Sequence, residues 1–329
     1  MYITATATDL PAPTPVHEEI ALGRIDSRSA RRLGIRSVCR SEQSGAESAL
    51  RAGRTAISEA AISGDQVKLV LHASAYFQGY DMWSSAAYVQ HGAVGNTCLT
   101  LDVAQLSNGG LASLELAGQF LSGRQDSASV LITTGDRFCE PGIDRWRTDP
   151  GTVFADGGTA LLVSNSGGFA ELLSVTGRGA PELEQMSRGA DPAADAPLRS
   201  TPITIDHGRE MLTRRYGLAE LLKILQQGQL GVYDAALTGA GLAHEDIDWH
   251  VVPHLGVPKM RHQFFEPLGI EPDITNYEWG RTIGHLGAGD QIAGLHWLRQ
   301  HRSIRPGSIC ALHGSGGGFY WSCAVIRFL

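Results

Sequence analysis

The residue best placed for chemistry is Ser107. The apolar run Leu101-Asp102-Val103-Ala104-Gln105-Leu106 stops at it, and a helical pattern through Leu111, Leu114 and Ala117 begins just beyond. A hydroxyl at such a strand-to-helix turn lies beside backbone N–H groups that lack intrahelical partners and carry partial positive charge, so an oxyanion formed there is stabilised. Two readings fit the residue taken alone: a nucleophile, or a serine that caps the helix. No cysteine competes for the role. Cys39, Cys98, Cys139, Cys310 and Cys323 are scattered, odd in number and without metal-site spacing.

The elements that must position Ser107 occur twice. Gln66–Leu71 and Asp248–Pro253 are short buried strands, each preceded by a helical pattern. The Ser107 turn has a counterpart in Thr282–Asp290, again followed by an apolar helix through Ile292, Leu295 and Leu298. The strands Ser129–Asp136 and Ser308–Ser315 then fall in register. Alternating strands and helices imply parallel sheets, and two related halves imply a layered α/β/α/β/α body with its site between them. The expected organisation is an N-terminal half over residues 1–177, a Pro-rich segment over 178–205 and a C-terminal half over 206–329. That middle segment reads either as a solvated linker or as a lid.

With 329 residues, 43% of them apolar, the chain can bury a large core. The net charge of −7 argues against a nucleic-acid partner. No apolar run approaches the roughly 20 residues that span a bilayer, and no charged leader precedes an apolar core, so a cytoplasmic protein is expected. His207, His262, His296, His301 and His313 lack the spacing of a metal site, and no metal is expected. Tyr76, Phe77, Tyr80 and Trp83 read either as lining for an apolar ligand pocket or as core.

Taken together, Arg32-Leu33-Gly34-Ile35-Arg36, the Asp102–Ser107 segment, Asp156-Gly157-Gly158, Gly208-Arg209-Glu210, Val252-Pro253-His254 and Gly316-Gly317-Gly318-Phe319-Tyr320-Trp321 resemble the ketoacyl-ACP synthase III branch of the thiolase superfamily over nearly the whole chain. The resemblance implies a thiolase fold, a duplicated α/β body of five layers. It also places Ser107 where the family carries an acyl-accepting cysteine, His254 at the family histidine, and His285 where an asparagine is usual. The family histidine and asparagine together stabilise the enolate formed when a malonyl group loses carbon dioxide.

Both departures bear on mechanism. A serine hydroxyl is far less acidic than a thiol and needs an adjacent general base. His285 is a candidate for that base, with Asp290 holding its other ring nitrogen in a Ser-His-Asp arrangement. The alternative is a hydrogen-bonded core histidine beside a helix-surface charge. The resemblance offers Gly317 N–H as an oxyanion donor alongside Ser107 N–H; from spacing alone the glycines equally suit a tight turn. His254 is left to serve the acceptor, as a hydrogen-bond partner or proton shuttle.

Arg32 and Lys259 fall where relatives hold the phosphates of coenzyme A. The tryptophan that stacks on its adenine is absent, with Arg28 nearest its place, so a carrier-protein thioester is the favoured donor. Arg214, Arg215, Lys259 and Arg261 then read either as a face for an acidic acyl carrier protein or as solvated charge. No tightly bound cofactor is expected; the phosphopantetheine or coenzyme A thioester is substrate. The resemblance to serine-bearing relatives of polyketide antibiotic pathways implies an acyltransferase that passes an acyl group from Ser107 to a small-molecule or carrier-bound acceptor without decarboxylation. Decarboxylative condensation and a non-catalytic carrier-binding partner are the alternatives. Pairing of two copies through the strand near Leu99–Val103 is expected from relatives.

Overall fold

The computed structural model describes residues 1–189, 192–195, 197–198 and 201–329. Two of its strands, Ser129–Asp136 and Gly157–Ser164, are buried along their whole length and rich in apolar and β-branched residues. In chain order the strands are β1 (Tyr2–Asp9), β2 (Pro13–Pro15), β3 (Ser37–Cys39), β4 (Val67–Ala73), β5 (Leu99–Val103), β6 (Ser129–Asp136), β7 (Gly157–Ser164), β8 (Ala170–Gly179), β9 (Trp249–Val251), β10 (Ile309–Gly316) and β11 (Tyr320–Phe328). Nine of them form one sheet in the order β5-β4-β6-β7-β1-β8-β11-β10-β9, and β2 pairs with β3 apart from it.

The duplication is visible in that order. β1 and β8 share only the pairs Tyr2–Glu171 and Ile3–Ala170, a narrow seam between β5-β4-β6-β7-β1 and β8-β11-β10-β9; β8 falls largely within the expected N-terminal half but pairs with β11 of the C-terminal one. The sheet is mixed where alternation of strands and helices implied parallel pairing. Only β5-β4-β6 and β9-β10 run parallel. β10 and β11, for example, are joined by three residues, too few for a crossover helix, and pair antiparallel.

Five longer helices complete the layers: α1 (Gly45–Glu59), α2 (Gly109–Ser122), α3 (Asp206–Tyr216), α4 (Leu218–Ala240) and α5 (Asp290–His301). Ala49, Ala52 and Ala56 of α1 pack on Val70, Leu131 and Leu162 at one outer face. In the middle, Leu111, Leu114, Ile292 and Leu295 of α2 and α5 fill the space between Leu71 and Ile132 on one side and Val251 and Cys310 on the other. Val232 and Ala236 of α4 cover Ala311 and Val325 at the second outer face. The stack is therefore α/β/α/β/α. Each fully buried leucine of the central layer contributes roughly 1.5–3 kcal/mol by leaving water.

α2 and α5 begin against each other. A Cβ at Gly110 would stand 2.6 Å from the carbonyl oxygen of Ala288, so only glycine allows this approach. Each is preceded by a single 3₁₀ turn, Leu106–Asn108 and Gly287–Gly289. The two halves thus bring the Ser107 turn and the His285–Asp290 segment to one place.

β8 runs to Gly179, so the middle segment begins later than residue 178. Its described part includes the short helix Gln185–Arg188; residues 190, 191, 196, 199 and 200 of it lie outside the described residues. No described helix is long and apolar enough to cross a membrane.

Candidate active site

Ser107 does not cap α2. The N-cap position falls on Asn108 without a side-chain capping bond, and Ser107 Oγ lies 2.7 Å from His285 Nε2. His285 Nδ1 is 2.5 Å from Asp290 Oδ2. A carboxylate only accepts, so Nδ1 carries the proton, Nε2 presents its lone pair, and the Ser107 hydroxyl donates to it. This is the hydrogen-bond order a serine nucleophile requires of its base.

Each member is fixed by its element. Leu106, immediately before the serine, adopts the left-handed φ of 46°, which turns the chain sharply from β5 into α2. His285 is pinned through its backbone: its N–H donates to Val153 O at 2.8 Å and its carbonyl accepts from Ala155 N–H at 2.7 Å. Asp290 is the first residue of α5 and fully buried. Its Oδ1 accepts from Leu286 N–H and its Oδ2 from His254 N–H, each at 2.8 Å. Burial opposes its charge, but the two histidines and these donors outweigh that and bring its pKa down to about 2.

Ser107 and His285 open into a cavity of about 380 Å³ whose wall includes Tyr76, Phe138, Phe154, Leu106, Gly316 and Gly317. Tyr76, Phe138, Phe154 and His285 form a ladder of rings with centroids 6.1, 4.6 and 5.8 Å apart. The lining also includes Met186, Ser187, Ile203, Leu218, Leu221 and Leu225. The glycine turn abuts the serine turn: a Cβ at Gly316 would lie 2.8 Å from Asn108 N. Gly317 lines the cavity, and among the described residues its N–H donates to no other group.

Deeper in the wall, Asp136 accepts from the backbone N–H groups of Ala75 and Tyr76 at 2.8–3.0 Å, and burial pushes its carboxyl up to about 8. Another polar wall holds Asp149, 2.6 Å from Lys259 Nζ and 2.7 Å from Arg209. Burial raises and its cationic neighbours lower the Asp149 pKa, with the cations prevailing; burial pulls the Lys259 ammonium down against the pull of Asp149.

Two expected site residues sit elsewhere. His254 is buried behind the cavity instead of lining it, and both ring nitrogens are spent: Nδ1 on Gly284 O and Nε2 on Asn276 Nδ2, each at 3.0 Å. It has no nitrogen left for an acceptor. Arg32 is exposed on the short helix Ser27–Leu33, outside the cavity lining, so it is not brought together with Lys259. Of the aromatic group, Tyr76 lines the cavity, whereas Phe77, Tyr80 and Trp83 lie at the surface. Arg214 and Arg261 pair with Glu210 and Glu266, and Arg215 lies over the ring of Tyr216. Among the described residues no cluster of His, Cys, Asp and Glu could hold a metal ion.

Sequence reasoning passed over Asp149, Phe138, Phe154 and Asn276, and noted Arg209 only within a glycine motif. None has a neighbour in sequence that marks it; the partners come from distant segments.

The model of the C-terminal part of 3-oxoacyl-(acyl-carrier-protein, ACP) synthase III matches residues 237–328. The β-ketoacyl-ACP synthase III of Erythrobacter litoralis is 25% identical over 340 aligned residues, covering 99% of this chain and 98% of its own. ChlB3, described as an acyltransferase, superposes with a TM-score of 0.94 at 29% identity over 100% of this chain and 97% of its own. The chain is ketoacyl-ACP synthase III-like along its whole length, and its residues 237–328 match the model of that family's C-terminal part. Its relatives are β-ketoacyl-ACP synthases III and a described acyltransferase, and the chain is an enzyme of the transferase class. The 3-oxoacyl-ACP synthase III of Aquifex aeolicus shares the fold, with a TM-score of 0.81 at 20% identity over 99% of both chains.

Proposed function

We propose that the protein is a non-elongating acyltransferase in which Ser107 takes an acyl group from a carrier-protein or coenzyme A thioester and passes it to a small-molecule or carrier-bound acceptor. The observation that carries this reading is the ordered chain from Ser107 Oγ through His285 to Asp290. In the first step Ser107 Oγ attacks the thioester carbon while its proton moves to His285 Nε2; the thiol leaves with that proton. In the second step the acceptor loses its proton to Nε2, attacks the ester and returns Ser107 to its hydroxyl form. Asp290 stabilises the imidazolium formed in each step. The N–H groups of Ser107 and Gly317 are the donors assigned to the oxyanion, each worth about 10²–10³ in rate.

The same geometry argues against decarboxylation. Losing carbon dioxide from a malonyl thioester needs donors aimed at the developing enolate oxygen. His254 has both nitrogens occupied and His285 is committed to Ser107. The likeness to β-ketoacyl-ACP synthases III favours condensation as the second reading; a carrier-binding partner without catalysis is the third. Lys259 and Arg209 at the cavity wall are assigned to the donor's phosphate. Cytoplasmic location, pairing of two copies through the exposed edge strand β5, closure of the cavity by the 178–205 segment and a place in polyketide-type biosynthesis belong to the same proposal.

Intact-mass analysis after exposure to acyl thioesters tests it: the acyl mass should appear on the peptide containing Ser107. Carboxyl-labelled malonyl thioester should release no labelled carbon dioxide in the presence of acylated enzyme. Release at the rate of acyl consumption would promote condensation, and absence of any adduct would promote the non-catalytic reading.

A further inference from the structure

The residues behind Asp290 form a second ordered chain. Asn276, fully buried, accepts from Val252 N–H through Oδ1 at 2.8 Å and donates to Val252 O through Nδ2 at 3.1 Å. These two bonds to the end of β9 settle which way its amide faces, because a flipped amide would oppose N–H to N–H. Nδ2 therefore faces His254 Nε2, 3.0 Å away, as a donor. His254 Nε2 must accept, and the ring proton is on Nδ1, where it points at Gly284 O at 3.0 Å with Asp290 Oδ1 at 3.3 Å.

The other tautomer would set Nε2–H against the Asn276 amide protons and a bare Nδ1 against two acceptor oxygens. Imidazolium would keep the first of these clashes. A neutral, Nδ1-protonated ring is the arrangement that satisfies every group. The space for it is built in: a Cβ at Gly294 would come within 2.6 Å of Asn276 Nδ2. His254 thus gives Asp290 two donors, its ring toward Oδ1 and its own backbone N–H to Oδ2. With Leu286 N–H on Oδ1, the carboxylate cannot rotate without losing bonds on both oxygens.

We propose that Asn276 is a positioning residue that locks His254 in its Nδ1–H tautomer and so holds Asp290 aimed at His285. The inference rests on the Ser-His-Asp reading above and extends it by one shell. It assigns work to a residue that touches neither substrate nor reacting atoms, and it gives the displaced family histidine a part in the reaction.

The test pairs a spectroscopic with a kinetic measurement on Asn276→Asp and Asn276→Ala. In ¹⁵N-histidine-labelled protein, the His254 signal, assigned by its loss in His254→Asn, should report a neutral Nδ1–H ring in the wild type. Asn276→Asp keeps an acceptor for Val252 N–H but offers Nε2 a carboxylate, so the signal should switch to a ring protonated at Nε2. The single-turnover rate of Ser107 acylation should fall about 10²-fold, as for a group displaced by about an ångström, with KM for the thioester within about twofold of wild type. Asn276→Ala should show both tautomers and an intermediate rate, and its thermal unfolding reports whether the fold survives. A wild-type tautomer in Asn276→Asp, or a switched tautomer with an unchanged acylation rate, overturns the inference. Failure of the wild-type chain to acylate Ser107 strikes the functional reading and this inference with it, whereas wild-type acylation with an unaffected Asn276→Asp strikes this inference alone.

Discussion

His254 and His285 lie on opposite sides of one carboxylate, both buried, and differ in what their ring nitrogens touch. His285 spends Nδ1 on Asp290 and turns Nε2 to the Ser107 hydroxyl in an open cavity. His254 spends both nitrogens on Gly284 and Asn276. One ring can take up a proton and release it without losing a buried partner; the other cannot. Residue type therefore says less about a histidine's role than the count of its unoccupied nitrogens.

The sharpest way to break that contrast is to remove the reacting groups. Ser107→Ala and His285→Ala should each lower acyl transfer about 10⁴- to 10⁶-fold, and the double variant little more, because members of a catalytic unit are not additive. Single-turnover kinetics of the two singles and the double would measure this. Full activity in His285→Asn together with none in His254→Ala would invert the comparison.

Asp290→Asn comes next. It keeps the shape but supplies no charge for the imidazolium, and its amide can hold the wrong tautomer, so a loss of about 10³- to 10⁴-fold is expected in the chemical step with KM little changed. His254→Ala should cost less in rate, about 10²-fold, and more in stability. It leaves the Asn276 donor without its histidine and opens a cavity, for about 2–4 kcal/mol in urea unfolding. A rate loss equal to that of His285→Ala would remove the distinction between the two rings.

The smallest effect is on stability at low pH. Asp290 has a folded pKa lowered from 3.8 to about 2. A depressed carboxyl contributes stability that is present above its unfolded pKa and is lost as pH falls through the folded one. Between about pH 4 and pH 2 the wild type should lose about 2 kcal/mol that Asp290→Asn does not lose. Urea midpoints of the two proteins across that window would show parallel curves if the carboxylate were not held this way.

Much of this arrangement was legible before any coordinates. The strands Ser129–Asp136 and Ser308–Ser315 were marked by continuous apolar runs, and both turns by glycines before an apolar helix. Ser107, His285 and Asp290 could be grouped because the resemblance places the first two at family site positions and a serine nucleophile needs a base held by a carboxylate. What was hidden is tertiary. The antiparallel strands β7, β1, β8 and β11 look in sequence like any buried strand, since pairing direction depends on partners. His254 carries a family position but loses its chemistry to Asn276, a residue 22 positions away with no motif around it. Asp149 gains its meaning only from Lys259, 110 positions later.

Leu106 offers a different kind of lesson. Its left-handed backbone costs a non-glycine residue about 1–2 kcal/mol, and the rest of the fold carries that cost in order to present the next side chain. A glycine there would relieve the strain, so selection for heat resistance alone would favour Leu106→Gly. The same change would remove the leucine side chain that stands beside Gly317 at the cavity wall and would free the hinge on which the hydroxyl turns. Stability and reactivity therefore compete at one peptide unit, and a laboratory lineage evolved for endurance would be expected to lose its chemistry first at this position.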